Sequence, residues 1–223
     1  MPKTAIGESI VIPLRQGQIE ADLRVPERAT GLVMFAHGSG SSRFSTRNRV
    51  VGEFLEANGF GTLLLDLLTR EEEAIDVHTR AYRFDIDRLA ERVVLATAWA
   101  QDRENLKSLP IGYFGASTGA AAALIAAAQR PHIVRAVVSR GGRPDLADGW
   151  LPKVMAPTLL IVGGHDEPVI GMNRDAMRQM TTTVELTIVP GATHLFEEPG
   201  TLEQVMQLAV AWFRRYLNDR EDL

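Results

Sequence analysis

The sequence predicts an α/β fold: a three-layer sandwich on a mostly parallel sheet, with an antiparallel hairpin at its N-terminal end. Three observations carry that expectation. From Pro26 onward, short apolar runs alternate with longer helical ones, the signature of strands joined by crossover helices. Before Pro26, the chain instead reads as two half-polar strands. Finally, Gly115-Ala116-Ser117-Thr118-Gly119 lies between a short apolar run and an Ala-rich one, which is a strand, a sharp turn and a helix in close succession.

The elements follow in order. Residues 8–14 and 18–25 form the hairpin, joined by Arg15-Gln16-Gly17. The second run alternates, with Ile19, Ala21, Leu23 and Val25 on one face and Gln18, Glu20, Asp22 and Arg24 on the other, the period of a strand with one face in a core. The first places Ile10, Ile12 and Leu14 on one face and Val11 and Pro13 on the other. Proline has no N–H to give a neighbouring strand, which puts this strand at the sheet edge. The apolar runs 31–36, 61–67, 111–114, 133–138, 158–162 and 184–189 come next, and most suit strands buried on both faces. Helical patterns at 47–58, 85–102, 118–129, 173–180 and 202–217 complete the alternation. Two connections are long. Residues 69–83 hold Glu71-Glu72-Glu73, His78, Arg80 and Arg83 in an irregular order and read as a charged, solvated loop. Residues 141–156 have room for one short helix and not for a lid of several helices. Without a repeat, a low-complexity linker or a break in composition, 1–223 reads as one domain.

Bulk properties narrow the function classes. At 223 residues, 45% hydrophobic and 23% charged, the chain has the balance of a globular protein with a substantial core. A net charge of −4 offers no basic excess to hold a phosphate backbone, so no nucleic-acid partner is expected. No apolar stretch approaches the roughly 20 residues of a membrane span, and the first residues lack the apolar core of a signal peptide; the expectation is a cytoplasmic protein without a membrane partner. The absence of cysteine excludes disulfides, Fe–S clusters, Cys-bound zinc and a thiol nucleophile.

Ser117 is the candidate nucleophile. A residue at such an elbow needs small neighbours two positions either side, and Gly115 and Gly119 supply them. The helix that follows turns its free N–H groups and positive end towards the serine. A serine hydroxyl also needs a base within hydrogen-bond reach and an acid to orient that base. In a parallel sheet such groups gather beyond the C-terminal strand ends. His194, in Pro190-Gly191-Ala192-Thr193-His194, follows the last strand and is the preferred base. His37 and His165 also follow strands, His78 lies in the 69–83 connection, and His132 precedes a strand and so belongs to the opposite edge. Asp166, in Gly163-Gly164-His165-Asp166-Glu167-Pro168, is the preferred acid, with Glu167 adjacent; Asp66 is near the same edge but precedes the serine in the chain. The order Ser117, Asp166, His194 is the one a serine elbow on an α/β sheet uses. For the oxyanion, the Thr118 backbone N–H is one donor, and the turn His37-Gly38-Ser39-Gly40-Ser41-Ser42 offers a second from Ser39, or alternatively Gly40. A phosphate-binding loop competes for that turn, although it has neither a P-loop lysine nor a dinucleotide spacing. Arg43 and Arg140 are candidates to favour an anionic substrate.

With the elbow, the acid loop, the histidine loop and the His-Gly turn in this order, the chain resembles an α/β-hydrolase over nearly its whole length. Its compactness and missing lid domain look most similar to the dienelactone hydrolase-like branch. Dienelactone hydrolases proper carry cysteine at the elbow, where this chain has Ser117. The resemblance therefore implies a serine esterase acting on a small-molecule ester through an acyl-enzyme, with no metal or organic cofactor required. Thioester or lactone hydrolysis, acyl transfer to an alcohol or amine, and a non-catalytic binder on the same scaffold remain open alternatives. Oligomeric state is not readable from the sequence.

Overall fold

The computed structural model describes residues 6–218. Its sheet has eight strands: β1 (Ile6–Pro13), β2 (Gln18–Val25), β3 (Leu32–Ala36), β4 (Gly61–Leu65), β5 (Ile111–Ala116), β6 (Val134–Arg140), β7 (Thr158–Gly163) and β8 (Val184–Val189). Their spatial order is β1-β2-β4-β3-β5-β6-β7-β8. β1 and β2 pair antiparallel, β2 pairs antiparallel with β4, and β3 to β8 run parallel. Pro13 is on the edge strand, as its missing N–H requires.

The described residues form six α-helices: α1 (Thr46–Ala57), α2 (Arg70–Thr79), α3 (Ile86–Gln101), α4 (Thr118–Gln129), α5 (Glu167–Gln179) and α6 (Thr201–Leu217). The strand pleat divides the core in two. Val33 and Phe35 of β3 face α1 and α6, where Val51, Leu55, Val210 and Phe213 pack. Leu32, Met34 and Ala36 face the other way, against Leu89 and Val93 of α3 and the alanines of α4. Residues 120–127 of α4 are all buried, and the six alanines among them let that helix lie close to both the sheet and α3.

The structure corrects the sequence reading in several places. Residues 69–83 are not a loop: 70–79 form α2. Its start is a capping box, in which Thr69 Oγ1 accepts the Glu72 N–H (3.2 Å) and Glu72 Oε2 accepts the Thr69 N–H (2.8 Å). Three glutamates sit at the positive end of the helix. Asp76 is the one buried residue of α2, so no apolar stripe marks the helix in the sequence. α5 begins at Glu167, earlier than 173, because Pro168 occupies a first-turn position where its lost N–H costs nothing. The 141–156 connection holds two short 3₁₀ turns, Pro144–Ala147 and Leu151–Lys153, where one short helix is expected. β8 is an edge strand, mostly half-buried rather than enclosed on both faces.

Candidate active site

Four loops at the C-terminal edge of the parallel strands build the site. The first is the elbow between β5 and α4. Ser117 adopts φ 50° and ψ −121°, a positive φ that a side-chain-bearing residue rarely holds. The flanking glycines are explained by close backbone approach. A Cβ on Gly115 would come within 2.4 Å of Ala120 Cα across the turn, and one on Gly119 within 2.2 Å of the Ala36 carbonyl oxygen. The second glycine thus makes room for the end of β3, not for its own turn. The Ser117 N–H donates to Arg140 O (3.2 Å) and the Ser117 carbonyl accepts the Arg143 N–H (3.1 Å), so the elbow is bonded on both sides.

The acid and histidine loops come next. Asp166 Oδ2 lies 2.6 Å from His194 Nδ1. Asp166 occupies the N-cap position of α5, yet its side chain makes no capping bond; the carboxylate is turned to the histidine. The two loops are tied through their backbones, Gly164 N–H to Val189 O (2.8 Å) and His165 N–H to Ala192 O (2.9 Å). The Thr193 N–H donates to Glu198 Oε2 (3.1 Å), closing the histidine loop on itself. Asp66 is spent elsewhere, accepting the backbone N–H of Arg43 (2.7 Å) and pairing with its guanidinium. Glu167 is exposed on α5.

The fourth loop follows β3. A Cβ on Gly38 would sit 3.1 Å from Ser117 Cβ, so this turn passes directly against Ser117. The turn is closed by the Ser41 N–H donating to Gly38 O (3.2 Å), with Gly40 at φ 68°. Among the described residues, the Ser39 and Gly40 N–H groups have no partner, and Thr118 is at the first position of α4, where the N–H has no intrahelical acceptor. His37 is structural. It is buried, its Nδ1–H donates to Gly38 O (2.9 Å), and its Nε2 accepts the Leu67 N–H (3.1 Å). Burial lowers its pKa, against opposing effects of the Gly38 bond and Asp66; the neutral ring clamps the turn to the end of β4.

The two arginines differ in their surroundings. The Arg43 guanidinium is taken up by three carboxylates, Asp66, Glu20 (2.5 Å) and Asp22 (3.5 Å), which corrects its reading as a substrate anchor. Arg140 has no carboxylate partner among the described residues; its Nη2 donates to Asn48 Oδ1 (3.3 Å). His78 is exposed on α2, and His132 lines a cleft of about 810 Å³ at the opposite edge of the sheet. Sequence reasoning missed Asn173, fully buried on α5, whose Nδ2 donates to Gly142 O (3.0 Å) and Val169 O (2.8 Å); a lone asparagine inside a helical pattern carries no signal of its own. Among the described residues, no cluster of three or more His, Asp or Glu could hold a metal, and no helix is long and apolar enough to cross a membrane.

The profile of the dienelactone hydrolase family matches residues 19–217. A dienelactone hydrolase of known structure from Anabaena variabilis shares 56% identity and superposes with a TM-score of 0.94, over 96% of this chain and 99% of that one. Two relatives from Mycobacterium tuberculosis strains, provisionally named phosphoribosyl transferases, are 58% identical over 199 residues. Those residues are 89% of this chain and 44% of the relatives, so the chain spans less than half of their length. Est1E from Butyrivibrio proteoclasticus, at 17% identity and a TM-score of 0.77 over 93% of this chain and 98% of that one, shares the fold.

Proposed function

Because this chain belongs to the dienelactone hydrolase family, we propose that its hydrolase chemistry is that of a serine esterase acting on small soluble carboxylic esters. The observation that carries the reading is the bonded pair of Asp166 and His194 at 2.6 Å, on the same sheet edge as a serine in an elbow conformation. His194 takes the Ser117 proton as the hydroxyl oxygen attacks the ester carbonyl. The Asp166 carboxylate holds Nδ1–H, leaving Nε2 as the base, and stabilises the imidazolium that forms. The Thr118 and Ser39 N–H groups receive the tetrahedral oxyanion, each of a kind worth roughly 3 kcal/mol of transition-state stabilisation. The imidazolium then protonates the departing alcohol, and water, deprotonated by the same histidine, frees the acid from Ser117.

Serine at the elbow replaces the cysteine of the dienelactone enzymes, so general ester cleavage is favoured over their particular lactone. The transferase name of the mycobacterial relatives belongs to proteins much longer than this chain, and the site described here gives it no support. A fluorophosphonate probe should label the protein once, on Ser117, as read by peptide mapping, and Ser117→Ala should abolish both labelling and ester turnover. Labelling elsewhere, or ester turnover surviving in a folded Ser117→Ala protein, refutes the assignment.

A further inference from the structure

Asp76, buried on α2, spends its bonding capacity on one neighbour. Its Oδ1 accepts the backbone N–H groups of Tyr82 (2.8 Å) and Arg83 (2.9 Å), and its Oδ2 accepts the Arg83 Nε–H (2.6 Å). Its backbone carbonyl accepts Arg83 Nη2 (3.1 Å). Arg83 is therefore fixed at its backbone and at two of its three guanidinium nitrogens. A buried ion pair is often replaceable by apolar side chains without loss of stability, so tying α2 to the segment behind it does not by itself call for this charged arrangement. The third nitrogen, Nη1, forms no hydrogen bond among the described residues.

Nη1 lies against the turn after β3. A Cβ on Gly40 would come within 3.1 Å of Arg83 Nη1 and 3.8 Å of its Cζ, and apart from the chain neighbours of Gly40 no other atom is within 4 Å of that point. Gly40 has φ 68°, so glycine serves both the backbone angle and the close approach. Other residues hold the two ends of this turn. At one end His37 donates to Gly38 O (2.9 Å) and accepts the Leu67 N–H (3.1 Å). At the other, Asp66 accepts the Arg43 N–H (2.7 Å). Between them Ser39 and Gly40 are exposed and make no hydrogen bond among the described residues. Two residues with free N–H groups and no bond of their own need a steric backstop to keep one orientation. The Arg83 guanidinium, a rigid plane on a fixed base, is placed to supply it.

We propose that Arg83 is a positioning residue, oriented by Asp76, that holds the middle of this turn so that the Ser39 N–H keeps the direction the oxyanion requires. Its effect on turnover rests on the esterase reading; its hold on the turn does not. Lysine at position 83 keeps a counter-charge for Asp76 but has no second nitrogen to lay against Gly40. Arg83→Lys should therefore melt close to the parent while kcat on a small ester falls about tenfold and KM stays within about twofold, because a displaced oxyanion donor acts on the chemical step. Arg83→Met should lower kcat at least as far and lower the thermal midpoint as well; if it does not fold, Arg83→Lys carries the test. In both variants the Ser41 amide, whose bond to Gly38 O (3.2 Å) closes the turn, should exchange with solvent several-fold faster by NMR, while the Leu67 amide, held by His37, keeps its rate. Arg88→Met removes contacts to Glu72 and Asp85 that do not reach the turn and should leave kcat and both amides as they were. An unchanged kcat in Arg83→Lys, an unchanged Ser41 amide, or a raised KM with kcat preserved overturns the assignment. A parent protein with neither ester turnover nor fluorophosphonate labelling of Ser117 refutes the esterase reading instead, and the Ser41 amide then decides whether Arg83 holds the turn.

Discussion

Ser117 holds a backbone conformation, φ 50° with ψ −121°, that costs a side-chain-bearing residue about 1–3 kcal/mol. Glycine adopts the same angles freely. Ser117→Gly should therefore be more stable than Ser117→Ala by about 1 kcal/mol, measured by denaturant unfolding, while both lose ester turnover by on the order of 10⁶-fold. Equal stability of the two would mean that the elbow is not strained. A second residue-scale prediction concerns pH. His37 has a folded-state pKa below the 6.5 of a free imidazole because burial disfavours the cation. The unfolded chain thus binds this proton first. The stability that neutral His37 contributes is complete above pH 6.5 and falls as the pH drops through 6.5 towards the lower folded value. Protonation also removes the acceptor of the Leu67 N–H and so loosens the turn bearing Ser39. His37→Gln should show a flatter stability profile than the parent between about pH 5 and 7; identical slopes would mean that His37 does not titrate differently on folding.

At the scale of elements, legibility followed burial. β2 was readable because its alternation is real: Ile19, Ala21 and Leu23 are buried and Gln18 is exposed. α4 was readable because its Ala-rich run begins at the elbow and is packed throughout. α2 was not, because only Asp76 of its ten residues is buried and the helix is held by charge instead of an apolar face. Its one legible signal was Thr69 followed by Glu72, the capping box, which a search for hydrophobic period passes over. The site divides in the same way. The chain order of Ser117, Asp166 and His194 is a property of sequence, whereas the fate of Arg43 depends on three carboxylates from β2 and the end of β4 that only the fold assembles. α2 is held by several ion pairs, Glu72 with Arg88 (2.6 Å) and Arg92 (3.0 Å) and Asp76 with Arg83 (2.6 Å), of which the last involves its one buried residue. Burial alone would raise the Asp76 pKa, and the N–H groups of Arg83 and Tyr82 with the Arg83 guanidinium outweigh it, so the net direction is down. Asp76→Ala leaves Arg83 without its partner and should cost about 3–5 kcal/mol of local stability. Hydrogen exchange should then accelerate over 70–79 while the amides of β5 keep their protection; uniform acceleration would mean that α2 is part of the global folding unit.

At the scale of the whole molecule, the candidate site is a junction and not a local motif. Its groups come from the ends of β3, β5, β7 and β8, and their relative placement depends on the bonds between those ends. One short turn, 141–143, reaches most of them. The Gly141 N–H donates to Ile161 O of β7 (2.8 Å), Gly142 O accepts Nδ2 of Asn173 (3.0 Å), and the Arg143 N–H donates to Ser117 O (3.1 Å). A Cβ on Gly141 would lie 3.6 Å from His194 Cε1, so the same turn sets how near the histidine ring comes to the elbow. Asn173 contributes no atom to the proposed chemistry, yet its amide fixes the middle of this turn from α5. Asn173→Ala removes both of its bonds and leaves Gly142 O buried without a donor, a loss of about 1–3 kcal/mol. A merely structural effect would lower the thermal midpoint and spare the catalytic step in the protein that remains folded. A positioning effect acts on the chemical step as well, where a displacement of about 1 Å can cost on the order of 10²-fold. The expectation is a fall in kcat approaching that size at a temperature well below the midpoint, with KM within about twofold because substrate-holding groups are untouched. An unchanged kcat with a lowered midpoint would reduce Asn173 to a packing residue. A raised KM with kcat preserved would place it in substrate binding, which the geometry of the turn does not support.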